Sequence, residues 1–314
     1  ISLRGFKTFA DLTDDNAFNI NDLNVLIGAN GAGKSNLISF FRLLGWMLSS
    51  PGKLQEHVAR QGGASNILTD GPENTREVAA HLRLESDAGE NEYAFRLAYA
   101  ADDTLIFTEE RFRYMRADNT KEVLWQEMSV GQREAQIGQQ AEAGNMTARV
   151  IHNMLRRIGV YQFHNTSDTA RIRGKWAQED SRYLKEDGAN LASVLHRLKA
   201  SEPEHYQRIV KTIRLILPFF EDFDLEPEYA SVLLRWREKY SDRIFTASQA
   251  ADGMLRVMAL VTLLLLPKDH LPDVLVLDEP ELGLHPAAIG VVGGLIRSIS
   301  HETQVIIATQ STPL

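Results

Sequence analysis

The chain has 314 residues, 42 acidic against 34 basic side chains, a formal net charge of −8 and 44% hydrophobic residues. This is ordinary globular composition: it excludes disordered, collagenous and coiled-coil proteins, and the negative balance argues against a general nucleic-acid coat. With no cysteine in the sequence, a disulfide framework, a Cys-ligated zinc site, an iron–sulfur cluster and a thiol nucleophile are excluded too.

Residues 1–9 alternate like a strand. Residues 23–27 are a short apolar run ending in a glycine-rich turn, and a long apolar helix pattern follows over 34–48. After a loop-rich stretch to 74, residues 76–84, 93–99 and 104–115 read as strands. Their short connections suggest antiparallel hairpins. Residues 131–144, rich in Gln, Glu, Ala and Gly, read as a surface helix or mobile loop. From 147 to 218 the periodicity is helical, with Leu191, Val194, Leu195 and Leu198 on one face. Strands return at 231–238 and 243–247. An apolar helix at 254–266, a buried strand at 273–277, a helix at 286–300 and a buried strand at 304–309 close the chain. Continuous apolar strands alternating with helices indicate a parallel sheet covered on both faces. The longest apolar run, 260–267, is too short to span a bilayer. No signal-peptide pattern opens the chain, and a cytoplasmic location is expected. The chain opens on Ile1 rather than Met and stops at Leu314 just after a strand pattern, so the expectation is that both ends are trimmed.

Gly28-Ala29-Asn30-Gly31-Ala32-Gly33-Lys34-Ser35 matches the phosphate-loop pattern G-x-x-x-x-G-K-[ST] in full. Glycines let backbone N–H groups wrap around phosphate oxygens, and the helix behind them adds its positive dipole end. Lys34 is expected to reach the terminal phosphates of ATP, and the Ser35 hydroxyl to hold Mg²⁺. The competing reading is a glycine-rich turn with a chance Lys-Ser. Val274-Leu275-Val276-Leu277-Asp278-Glu279 is an apolar strand ending in two acids. Asp278 is the candidate second Mg²⁺ ligand, and Glu279 is placed to polarise an attacking water. Lys34 and Asp278 lie 244 residues apart. That separation is far longer than in small GTPases and suits the ABC-type heads of SMC, Rad50 and RecF proteins.

Gly5-Phe6-Lys7-Thr8-Phe9, followed by the phosphate loop and Asn36, resembles the opening of an SMC/RecF-type head. Ala251-Asp252-Gly253-Met254-Leu255-Arg256 resembles the S-D-G-x-x-R signature of the AAA15/AAA21 ATPases. Leu277-Asp278-Glu279-Pro280-Glu281-Leu282-Gly283-Leu284-His285-Pro286 is similar to their second motif, and Thr309-Gln310-Ser311-Thr312 stands where they carry T-H-S or T-Q-S. Members include overcoming-lysogenization-defect nucleases and ATPase subunits of anti-phage systems. The resemblance implies an α/β P-loop NTPase of the ABC-ATPase type, with an antiparallel β-subdomain and a compact helical insertion. The expected division is an N-terminal lobe over 1–145, the insertion over 146–228 and a C-terminal lobe over 229–314. Lys7 and Asn36 join the phosphate loop as expected nucleotide contacts, and Gln310 joins Lys34 and Glu279 as a catalytic group. Asp252 and Gly253 are expected to face ATP held by a second copy, so that two heads close around it.

This chain departs from the pattern at Ala251, where the signature serine is missing, and at Gln310, whose amide donates to phosphate but cannot change charge with pH. Gln162 and His164 stand where the Q-loop is expected, and the sequence leaves open which serves, or whether either does. Arg256, in the first turn after the signature, is a candidate contact to nucleotide or partner, or a solvent-facing residue. Residues 151–220 carry 12 basic and 7 acidic side chains. Arg171, Arg173, Lys175, Trp176, Arg182 and Tyr183 mix basic and aromatic groups as single-strand binders do, although a solvated face is the preferred reading. The functional expectation is an ATP-hydrolysing head that dimerises around ATP and switches a DNA-linked or anti-phage assembly. DNA and an effector or nuclease are candidate partners. The alternatives are the ATPase part of a nuclease whose catalytic domain follows residue 314, and a scaffold that holds ATP without hydrolysing it.

Overall fold

The computed structural model describes residues 1–13, 16–29, 31–86, 88–118 and 123–311. They form two compact units, Ile1–Ile20 with Gly31–Ile158, and Asn21–Asn30 with Gly159–Leu314.

In chain order the first part of the molecule contains β1 (Ser2–Phe6), β2 (Phe9–Leu12), β3 (Leu23–Ile27), α1 (Lys34–Ser49), α2 (Lys53–Arg60), β4 (Glu77–Ser86), β5 (Gly89–Ala100), β6 (Thr104–Arg116), β7 (Gln126–Glu127), α3 (Ile137–Glu142) and α4 (Met146–Arg156). Except for β3, these belong to the first unit. Its six-stranded sheet runs β2-β1-β4-β5-β6-β7 with antiparallel pairing. The alternation of β4 puts Val78, Ala80 and Leu82 in the core and Glu77, Ala79 and His81 on the other face. α1 buries Leu37, Ile38, Phe40, Phe41, Leu43, Leu44, Met47 and Leu48, and Phe40 meets Phe6 edge-on at 5.7 Å. The sequence pattern reads residues 1–9 as one strand, whereas the structure turns at Lys7–Thr8 into β2. Lys7 has φ 48 and Gly5 has φ 74. A Cβ at Gly5 would lie 2.2 Å from the Glu77 carbonyl oxygen, so β4 approaches β1 only because residue 5 is glycine.

Segment 131–144 is fastened by a buried acid. Glu110 is fully buried on β6 and accepts hydrogen bonds from Tyr93 Oη at 2.8 Å, Gln136 N at 2.9 Å and Ile137 N at 3.2 Å. It satisfies N–H groups at the start of α3. Burial pushes the Glu110 carboxyl above its ordinary range.

The second unit continues with β8 (Ile158–Tyr161), β9 (Trp176–Ala177), α5 (Leu191–Ser201), α6 (Pro203–Ile216), β10 (Phe220–Phe223), β11 (Ser231–Val232), β12 (Arg235–Glu238), β13 (Ile244–Thr246), α7 (Asp252–Leu264), β14 (Val274–Asp278), α8 (Pro286–Ile299) and β15 (Gln304–Thr309). Its main sheet has the order β3-β15-β14-β8, with β3, β15 and β14 parallel. In α7 every residue from Met254 to Leu264 is buried except Arg256. A small antiparallel sheet, β10-β12-β13, adds Phe220, Phe223 and Trp236 to the same core. Helical periodicity over 147–218 is only partly realised: residues 158–190 hold β8, β9 and turns. The buried Asn190 side chain explains the departure. It accepts from Lys185 N at 2.9 Å and donates to Asp180 O at 2.8 Å and Tyr183 O at 2.9 Å, giving the backbone partners that a helix would otherwise supply.

Candidate nucleotide site

In the first unit, α1 begins behind Gly33, whose φ of 91 is left-handed. Gly31 is also left-handed, at φ 84. Asn30 lies outside the described residues. Ala32, Lys34 and Ser35 follow the motif into the helix, and the first turn contains no acidic side chain that would neutralise its positive end. Lys7 Nζ donates to Ser39 Oγ at 3.2 Å and Gln61 Oε1 at 3.1 Å, while Asn36 Nδ2 donates to Thr8 Oγ1 at 3.0 Å. These bonds tie the β1–β2 turn to the first turns of α1 and to the end of α2. Burial, then the Arg42 charge, holds the Lys7 ammonium below its ordinary pKa. Burial also pushes His57 on α2 down to about 4, helped by Lys7, Arg42 and Arg60.

In the second unit the parallel register brings the motif-bearing strand ends level. Asp278 pairs with Ala308, Ala308 with Leu26, and Thr309 with Ile27. The carboxyl-terminal edge therefore carries Gly28 and Ala29 after β3, Asp278 and Glu279 at β14, and Thr309 and Gln310 at β15. Ligands of open α/β sheets bind at this kind of edge. Thr312 lies outside the described residues.

Gln162 and His164 both converge on Asp278. Gln162 Nε2 donates to Asp278 Oδ2 at 2.9 Å, and the His164 ring nitrogen Nε2 lies 3.1 Å from the Asp278 carbonyl oxygen. One binds the carboxylate and the other the backbone, so they hold two parts of the same residue. Glu279 has φ 44, and its N–H donates to Ala308 O at 2.8 Å. Its carboxylate accepts from Gln310 Nε2. Glu281 Oε1 accepts from Thr309 Oγ1 at 2.5 Å and Gln310 N at 3.0 Å.

Two arginines organise the loops around the start of α7. Arg256 donates to Phe163 O at 3.2 Å, His164 O at 3.0 Å and Leu282 O at 3.4 Å. It is a tie between loops rather than a solvent-facing side chain. Arg173, 7% exposed, donates to Thr166 O, Ser167 O, Ala247 O, Ala250 O and Asp252 Oδ1. Gly253 packs against its own chain: a Cβ there would lie 2.8 Å from the Gly283 carbonyl oxygen. The structural roles of Arg173 and Glu281 escape the sequence reading. The D-E-P-E string offered a local sign for Glu281, whereas three of the Arg173 partners, Ala247, Ala250 and Asp252, lie more than 70 residues away.

The basic–aromatic segment is largely occupied with itself. Arg171 and Lys185 stand over the Trp176 ring at 4.8 and 5.3 Å, and Arg182 over Tyr183 at 5.3 Å. Arg171 pairs with Asp187, Lys175 with Glu228 and Lys185 with Asp180. These contacts favour the solvated-face reading.

The fold is similar to that of SMC head domains. A crystal structure of an SMC head bound to the C-winged helix domain of ScpA is 15% identical, with a TM-score of 0.58 and coverage of 99% of this chain and 89% of that one. An SMC head with an extended coiled coil, bound to the C-terminal domain of ScpA derived from Pyrococcus furiosus, is 16% identical, with a TM-score of 0.55 and coverage of 99% and 89%. No curated protein matches the chain by sequence. Residues 23–314 match the family described as "AAA domain, putative AbiEii toxin, Type IV TA system". The chain belongs to this AAA_21 family, and its fold is similar to that of SMC head domains.

Proposed function

We propose that this chain hydrolyses ATP and pairs with a second copy around it. The observation carrying the reading is the single sheet edge that bears Gly28, Asp278–Glu279 and Gln310, each at the end of a different strand. Lys34 and the loop N–H groups stabilise phosphate charge, while Glu279 accepts a proton from the attacking water and Gln310 holds the Glu279 carboxylate. The motifs assign Mg²⁺ to the Ser35 hydroxyl and the Asp278 carboxylate. Both are hard oxygen donors suited to it, and the Gln162 bond orients the Asp278 carboxylate. When bound, Mg²⁺ offsets negative charge on the phosphates. Asp252 and Gly253, at the start of α7, would approach ATP held by the second copy and offer it backbone N–H donors, with the Asp252 carboxylate offset by its pair with Arg173.

The family description, which names a putative toxin of a type IV TA system, is compatible with a place for this switch in a defence assembly, and the sequence resemblance adds a DNA-linked assembly with an effector partner as the wider reading. No helix among the described residues is long and apolar enough to cross a membrane. The test is Glu279→Gln. It should bind ATP with parental affinity by calorimetry and turn over about 10²–10⁴ times more slowly. Light scattering should then detect a pair at saturating ATP. Parental turnover would remove Glu279 from its role, and a monomer at saturating ATP would remove the pairing.

A further inference from the structure

We propose that Glu281 is a positioning residue that fixes the end of β15 so that the Gln310 amide meets Glu279. The inference rests on the hydrolytic reading above and deepens it. Three acidic or amide side chains form one connected set. Glu281 Oε1 accepts from the Thr309 hydroxyl at 2.5 Å and from the Gln310 backbone N–H at 3.0 Å. Gln310 Nε2 in turn donates to Glu279. Thr309 is fully buried, and its hydroxyl also accepts from Ser311 N at 2.9 Å. The strand end is therefore held at the residue before Gln310, at Gln310 itself and at the residue after it.

Chain geometry makes this anchoring consequential. Thr309 is the last residue of β15, so the sheet ladder ends where Gln310 begins. Glu279 leaves β14 in a left-handed conformation. Both residues that meet lie just past the regular strands: Glu279 keeps one inter-strand bond, from its N–H to Ala308 O, whereas the Gln310 N–H is held by the Glu281 carboxylate instead of the sheet. Glu281, two residues beyond Glu279, spans from the chain after β14 to the chain after β15. Its second oxygen, Oε2, is buried with no hydrogen-bond partner among the described residues. A buried acceptor left unsatisfied carries a desolvation cost, which a position selected for stability alone would tend to shed.

The test compares turnover, affinity and amide exchange in Glu281→Ala, Glu281→Gln and Gln310→Ala, with Glu279→Gln as control. Glu281→Ala should lower kcat about 10-fold or more and leave KM within about twofold, because the lost contact acts on turnover and not on ATP binding. The double variant Glu281→Ala/Gln310→Ala should be no slower than Gln310→Ala, since one residue acts through the other. Hydrogen exchange of the peptide spanning 304–311 should accelerate in Glu281→Ala. Glu281→Gln keeps the Oε1 acceptor and should restore both protection and rate. If Glu281→Ala fails to fold, Thr309→Val replaces it, removing the hydroxyl that donates to Glu281 and accepts from Ser311 N at nearly constant shape, and giving a smaller loss of kcat. Multiplicative losses in the double variant, a rise in KM at constant kcat, or parental turnover in Glu281→Ala would each overturn the inference. Slow Glu279→Gln with unaffected Glu281→Ala sinks the inference alone. Parental turnover of Glu279→Gln sinks the hydrolytic reading beneath it.

Discussion

Arg96 and Arg173 carry the same charge in opposite settings. On the outer face of the six-stranded sheet, Arg96 is 41% exposed and pairs with Glu77 at 2.7 Å and Glu109 at 2.8 Å. Neighbouring pairs, Arg4–Glu77 and Arg111–Glu109, extend the row. In each of them water competes for both partners, so the net contribution is small. Arg173 is almost entirely buried, and most of its partners are backbone carbonyls of two separate loops. Removing it leaves those carbonyls without their donors. Counting ion pairs would rank the sheet face above the α7 loops; asking what each group leaves behind when removed reverses the order.

Three measurements test that ordering. The largest expected loss is in Arg173→Ala, about 3–5 kcal/mol from the urea midpoint at constant m, because a buried charged hub is removed from its acceptors. A loss below about 1 kcal/mol would put Arg173 in the same class as the sheet arginines. The second measurement asks whether burial also decides the matter in the first unit. Folded His57 stays neutral down to about pH 4, whereas the unfolded side chain takes a proton below its ordinary 6.5. Its contribution is fully present above 6.5 and is lost as pH falls from 6.5 toward 4, by at most about 3 kcal/mol. His57→Gln cannot titrate, so its stability relative to the parent should rise through that window; a flat difference would contradict the assignment. The smallest effect is expected for Arg4→Ala, within about 0.5 kcal/mol. A loss above about 1.5 kcal/mol would show that the exposed row acts as a network.

What the sequence made legible follows the range of the interactions. Residues 34–48, 273–277 and 304–309 announce themselves through local periodicity, and the phosphate loop through fixed residue types at fixed spacing. That the ends of β3, β14 and β15 lie level at one sheet edge could be expected from α/β architecture. The turn at Lys7–Thr8 was hidden, because a positive φ at a lysine leaves no compositional mark. Periodicity makes residues 158–190 look helical because the buried bonds of Asn190 leave no mark on it. Gln162 and His164 could not be ranked from sequence, since their common partner Asp278 lies more than a hundred residues downstream.

The backbone of Glu279 sets a condition on how this chain can drift under mutation. A φ of 44 suits glycine, and asparagine after it, far better than glutamate. Holding an L side chain there costs on the order of 1–2 kcal/mol. Conformational strain therefore favours a residue that lacks the carboxylate, and a lineage selected for folding alone would tend to lose Glu279 early. Its persistence would require selection on activity, which makes residue 279 a sensitive place to tell relatives that still turn over nucleotide from those that merely keep the fold.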